Sequence, residues 1–262
     1  MTAKAKRLPA IFLGHGSPMN TLESNRYTQA WQQLGESIPR PRAILAISAH
    51  WQTEGTAVTA MERPRTIHDF RGFPKTLFDV EYPAIGDPAL AARVAELLVP
   101  TQVSLDQSWG LDHGTWSVLV HVYPKADVPV IQLSLDATQP ASYHYEIGTR
   151  LAPLRDEGVL VLGSGNVVHN LRVINFSDPK TPYDWAERFN SRVRELLEKR
   201  EHEPLTRYQE MGRDALLSVP TPEHFLPLLY ILGMQQKKDE VTFPVDGIDL
   251  ASISMLAVKV GG

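Results

Sequence analysis

Along this chain, short apolar runs rich in β-branched residues alternate with longer stretches that mix apolar and charged positions at helical spacing. Residues 11–13, 43–48, 128–133 and 159–163 are uniformly apolar and too short for surface helices, so they read as buried strands. Helical patterns fill 20–38, 88–98, 142–154, 183–201 and 205–218. Within 185–199, apolar Phe189, Val193, Leu196 and Leu197 stand among charges, which fits a helix with one buried face. Pro222, Glu223 and the run 225–232 predict a helix with proline in its first turn, and 253–260 a closing strand. Strand–helix alternation predicts one α/β domain over 1–262, a central mostly parallel sheet flanked by helices. Chemistry in such sheets collects beyond the carboxyl ends of the strands. The stretch 61–83, dense in proline, aromatics and charge, predicts a long loop of the kind that often carries function. Within it, Asp79 and Glu81 alternate like an exposed edge strand.

Composition narrows the chemistry. The 262 residues include no cysteine, which removes disulfides, thiolate zinc sites, iron–sulfur clusters and cysteine nucleophiles together. A metal must then be held by imidazole, carboxylate or water. A formal charge of −4 gives no reason to expect a nucleic acid or an anionic membrane as partner, and the basic start, Lys4 to Arg7, reads as a solvated terminus. No stretch approaches 18 uninterrupted apolar residues, so no membrane span is expected and a cytoplasmic location is the default.

The nine histidines are informative by position. His15 follows the first strand in Gly14-His15-Gly16-Ser17-Pro18, His50 follows the second in Ser48-Ala49-His50-Trp51, and His169 comes shortly after the strand at 159–163. Three parallel strands would thus release histidines at one sheet edge, with small neighbours that let backbone approach a shared centre. His15 and His50 form the candidate metal pair. His113 lies in a glycine-flanked turn before an apolar segment, and His224 in the first turn of the helix after Pro222. His68 and His121 read as structural, His144 and His202 as solvated. Gly163-Ser164-Gly165 lacks the third glycine of a dinucleotide loop, and neither Ser17 nor Ser164 sits in a nucleophile elbow. Imidazoles without thiolates suit Fe(II), Zn(II) or Mn(II) in an open catalytic site, and histidines left over can act as acid and base. Trp51, Phe70, Phe73, Trp109 and Trp116 are aromatic company for a planar substrate, or ordinary core.

Taken in order, His15–Met19, Ser48–Trp51, Asp69–Pro74, Leu111–Trp116, Gly163–Asn166, His169-Asn170 and Pro222–Leu228 resemble the class III extradiol ring-cleavage dioxygenases, within them the 4,5-DOPA extradiol dioxygenase group in its bacterial form. The resemblance spans nearly the whole chain. It implies one divalent metal ion per chain, Fe(II) for activity with Zn(II) as a possible occupant, and a catechol and dioxygen as small-molecule partners. The expected reaction opens the ring beside the diol to a muconic semialdehyde, which for L-DOPA is a seco-DOPA. By the same resemblance His15, His50 and His224 are the ligands, although Glu223 is an alternative third ligand. His169 is the acid/base group, or else a fourth ligand, and His113 hydrogen-bonds a catechol oxygen or dioxygen. Three neutral imidazoles would leave the ion's charge uncompensated. A zinc hydrolase with metal-bound hydroxide is the competing reading, with His113 or His169 as base and Glu223 as an available carboxylate base. A monomer or a homodimer would fit equally.

Overall fold

In the computed structural model, which describes residues 7–262, ten strands run in chain order: β1 (Ala10–Gly14), β2 (Ala43–Thr53), β3 (Thr56–Thr59), β4 (Val103–Asp106), β5 (Val130–Asp136), β6 (Val159–Gly165), β7 (Val241–Thr242), β8 (Ile248–Asp249), β9 (Ile253–Ser254) and β10 (Ala257–Val260). Eight of them form one sheet in the order β4-β3-β5-β2-β6-β1-β10-β7, while β8 and β9 pair separately. The central β5, β2, β6 and β1 are mutually parallel, and β10 runs antiparallel to β1. Helices α1 (Arg26–Ser37), α2 (Lys75–Phe78), α3 (Pro88–Leu97), α4 (His113–Val122), α5 (Ala141–Leu151), α6 (Asp184–Lys199), α7 (Glu203–Thr206), α8 (Arg213–Ser218) and α9 (Leu226–Gly233) cover both faces. This is the α/β architecture that the alternation predicts.

The two-residue period of the strands sorts their side chains into two cores. Ala10, Phe12, Leu45, Ile47 and Val161 pack with residues of α3, α5, α6 and α9. Ile11, Leu13, Ile44, Leu160 and Leu162 pack on the other face with residues of α1 and α4. Helix α9 is apolar and buried along its whole length because it lies against the centre of the sheet beside α5. Arg155 is fully buried and holds the edge of this core. It donates to the carbonyls of Leu8, Met234 and Val260 and pairs with Asp239 at 2.6 Å, joining both chain ends to the end of α9.

Several boundaries differ from the sequence reading for local reasons. The helix expected over 20–38 divides into a 3-10 turn, Pro18–Leu22, and α1, because Asn25 caps a new start by accepting from the N–H groups of Tyr27 and Thr28. The pattern at 205–218 breaks into α7, a 3-10 turn and α8, separated by Gly212 at φ +92°. Helix α9 begins at Leu226, with Pro227 rather than Pro222 in its first turn. Asp79 caps the end of α2 and forms no strand with Glu81. Lys4 and Lys6 lie outside the described residues, while Arg7 pairs with Asp156 at 2.9 Å. Among the described residues, no helix is long and apolar enough to cross a membrane.

Candidate metal centre

Five of the sequence-singled histidines converge beyond the carboxyl ends of β1, β2 and β6. His15 follows β1 directly, held there by its own N–H donating to Gly165 O at 3.0 Å. His50 lies within β2, which continues past the expected end at Ser48. Between the pairs Ile47–Leu133 and Gln52–Leu135, four residues of β2 face the single Ser134, so the strand bulges outward at His50. His113 is the first residue of α4, whose start is fixed by Asp112 accepting from Thr115 N–H at 3.1 Å. His169 is anchored by its N–H on Ser218 O at 2.8 Å. His224 sits in the turn before α9, not in the helix, and its carbonyl accepts from Asn166 N–H at 2.8 Å. That carbonyl reaches β6 only because residue 165 is glycine; a Cβ there would lie 2.1 Å from His224 O.

The ring separations discriminate among the five. Centroids of His15 and His50 are 5.1 Å apart, His15 and His224 5.3 Å, and His50 and His224 5.1 Å. Imidazoles bound through nitrogens about 2.0–2.1 Å from one tetrahedral ion have centroids about 5.2 Å apart and nitrogens about 3.3–3.4 Å apart. The Nε2 atoms of His15 and His50 are 3.3 Å apart. His113 departs from this triangle, at 3.9 Å from His50 and 5.8 Å from His15, although His15, His50 and His113 also bring nitrogen atoms within 4.8 Å of one another. His169 lies parallel to His224, with centroids 3.4 Å apart and planes 9° apart. A metal lies in the plane of each imidazole it binds. Two planes so nearly parallel at that spacing meet only far from the rings, so one ion does not take both in plane, although His169, Glu223 and His224 also bring ligand atoms within 4.8 Å of one another.

Polar groups on the far side of each ring favour one tautomer. Ser164 Oγ donates to Gly114 O and so accepts at 3.0 Å from His15 Nδ1, which leaves His15 Nε2 with a free lone pair. His50 Nδ1 is 3.4 Å from Asp69 Oδ2, and His224 Nδ1 donates to Glu223 Oε1 at 3.2 Å. His15 and His224 thereby keep a lone pair on Nε2, and the carboxylate facing His50 Nδ1 favours the same tautomer there. The lone pairs of His15 and His50 facing each other at 3.3 Å are the arrangement a cation resolves, so these residues fit a divalent ion. Burial, with repulsion from the neighbouring imidazoles, holds His15 and His224 well below the ordinary range. Burial likewise takes His50 down to about 3, against the pull of Asp69. Neutral rings are what a metal requires.

Sequence reasoning gave no role to Asp69, which comes from the loop at 61–83. Its Oδ1 accepts from His113 N–H at 2.9 Å and lies equally close to His113 Nδ1, the latter without the angle of a hydrogen bond. Burial works to raise the Asp69 carboxyl, but His113 and His50 outweigh it and leave it below its ordinary value. Asp69 and Glu223 thus put carboxylates behind two of the rings, so the charge of an ion would not stand uncompensated as expected. Two further readings are corrected. His144 and His202 are buried, not solvated; His144 Nδ1 pairs with Tyr230 OH at 3.0 Å, and His202 Nδ1 with Tyr145 OH at 3.3 Å. His68 and His121 are tied to carbonyls, of Val80 and Asn20, as structural residues would be.

A cavity of about 380 Å³ opens over the imidazoles, its wall completed by Phe73, Leu171, Ile174, Phe176, Leu250 and Ile253. Of the five aromatics noted from sequence, Phe73 alone lines it. Phe70 packs behind His113, and Trp51 stacks on Trp109 away from the opening. Phe176 carried no signal, because it lies in an irregular segment with no periodicity.

Residues 9–255 match the family model described as the catalytic LigB subunit of aromatic ring-opening dioxygenase. A 4,5-DOPA dioxygenase extradiol of Escherichia coli K12 is 54% identical over 259 residues, covering 97% of this chain and 95% of the relative. The protein of that name from Beta vulgaris is 39% identical over 231 residues, covering 85% of each. A crystal structure of an uncharacterized Escherichia coli K12 protein superposes with a TM-score of 0.86 at 50% identity, over 97% of this chain and 100% of that one. With the match running from β1 to β9, this chain belongs to the LigB family of extradiol ring-cleaving dioxygenases.

Proposed function

We propose that this protein opens the ring of a catechol, L-DOPA among the candidates, by extradiol insertion of dioxygen at a single metal ion held by His15, His50 and His224. The observation that carries the reading is the triangle of three imidazoles, 5.1–5.3 Å on each side, at the base of an apolar cavity. Its volume, about 380 Å³, is within the range of small-molecule sites, about 300–1,000 Å³. Bound there, a redox-active divalent ion such as Fe(II) supplies the means of bringing the diol and dioxygen together and passing electrons between them. Dioxygen is the oxidant, and both its atoms enter the ring-opened product.

The chain's own residues do the rest. His169 lines the cavity beside His224, and burial takes its imidazole down to about 4, so at neutral pH it is an acceptor for a diol proton. His113, fixed by Asp69, also lines the cavity as a hydrogen-bonding partner for a diol oxygen or dioxygen. Phe73 and Ile253 offer apolar surface to the ring and limit water. The hydrolase reading loses its carboxylate base, since Glu223 is engaged by His224 Nδ1 and by the hydroxyl of Thr221 at 2.7 Å.

Oxygen uptake on mixing anaerobically iron-loaded protein with a catechol in air tests the proposal. A yellow ring-opened product that vanishes in His15→Ala and His50→Ala is expected. Fully loaded protein that consumes no oxygen across a panel of catechols would refute it.

A further inference from the structure

The wall of the cavity beyond the imidazoles bears no charge. Gly16, Ser17 and Pro18 form one side; Phe73, Leu250 and Ile253 form another. The outer rim is the segment after His169, where Leu171, Ile174 and Phe176 face the opening. Phe176 is the most exposed large apolar side chain among the described residues, at 78%, and Leu171 is 60% exposed. The segment is a fixed wall. Asn170 Oδ1 accepts from Arg172 N–H at 3.1 Å, and Asn170 Nδ2 donates to Leu217 O at 2.8 Å. Asn175 N–H donates to Leu250 O at 3.1 Å, while its side-chain oxygen accepts from the N–H groups of Ser177 and Asp178. Both ends being pinned, the apolar side chains between them stay in water unless something covers them, and exposed apolar surface joined to a binding cavity marks what the ligand must cover.

We infer that this rim selects catechols whose ring substituent is apolar and uncharged, in preference to the zwitterionic amino-acid side chain of L-DOPA. The inference rests on the catechol reading of the site and deepens it. An ammonium and a carboxylate carried into this wall would be stripped of water with no charged partner. Arg71 and Arg172 are close in sequence to lining residues, but both are exposed and outside the wall, where an ion pair contributes little. An alkyl substituent, by contrast, gains about fourfold in binding for each methylene that the wall covers.

Steady-state kinetics of the iron-loaded enzyme on catechol, 4-propylcatechol, dopamine and L-DOPA test this. We expect kcat/KM for 4-propylcatechol to exceed that for L-DOPA and dopamine at least tenfold, mostly through KM. In Phe176→Ser and Ile174→Ser, the ratio of kcat/KM for 4-propylcatechol to that for catechol should fall, by about tenfold when both are replaced. L-DOPA turned over as well as 4-propylcatechol would overturn the inference while leaving catechol cleavage intact. So would a tenfold loss on L-DOPA confined to Arg172→Ala. Failure of the loaded enzyme to cleave catechol itself would remove the functional reading and this inference with it.

Discussion

Replacing Gly165 with alanine tests the geometry of the site without replacing any ligand. The added Cβ would sit 2.1 Å from His224 O, and contacts under 3.0 Å are essentially never seen. The turn carrying His224 must therefore retreat by at least 0.9 Å, the difference between the two. The hydrogen bond from Asn166 N–H to that same carbonyl, 2.8 Å long, is stretched with it. Ligand distances in metal sites hold to about ±0.2 Å, and disturbing the groups that orient a ligand costs about 10–100-fold in metal affinity. Overpacking also destabilises by about 1–3 kcal/mol, so a control is needed. Gly233→Ala makes a matching collision at the far end of α9, where its Cβ would lie 2.2 Å from Tyr145 O. Zinc titration by calorimetry, with melting curves for both variants, should show both less stable and only Gly165→Ala weaker for metal, by about 10–100-fold. Wild-type affinity in Gly165→Ala, or an equal loss in Gly233→Ala, would refute the reasoning.

Other expectations follow from single contacts. Asp69→Asn removes the charge beside His50 and His113 and should weaken metal binding by about 10–100-fold, measured by competition with a chelator; an unchanged affinity would deny Asp69 its orienting role. Arg155→Met strands Asp239 and three buried carbonyls and should cost about 3–5 kcal/mol in urea unfolding, whereas a loss under about 1 kcal/mol would mean the strands close without it. Burial works to raise the Asp239 carboxyl, but its bond to Arg155 prevails and lowers it. A lowered folded-state value contributes stability that is complete above the unfolded carboxylate value, about 3.9, and is lost as pH falls through the folded one. Urea midpoints between pH 5 and pH 2 should thus fall less steeply in Asp239→Asn than in the wild type; identical slopes would contradict the assignment.

Much of the fold was legible because its signals are local. The apolar runs at 11–13, 43–48 and 159–163 lie inside β1, β2 and β6, and the stripe Phe189, Val193, Leu196, Leu197 is the buried face of α6. Interruptions were harder to see, since Gly212 and the Asn25 cap act within patterns that otherwise continue. His144 was readable after all: Ala141, His144, Ile147 and Leu151 form one buried stripe of α5, and two flanking tyrosines disguised it. Within the site, the histidines at strand ends announced themselves. Asp69, Ser164 and Phe176 did not, because their roles depend on which imidazole or opening the fold brings beside them.

Metal stoichiometry across five single variants tests the central assignment most directly. His15→Ala, His50→Ala and His224→Ala should each lose tight binding of one equivalent of metal. His113→Ala and His169→Ala should keep that equivalent and lose turnover instead. Metal lost from His169→Ala or His113→Ala as completely as from the other three, or retained in His224→Ala, would contradict the triangle.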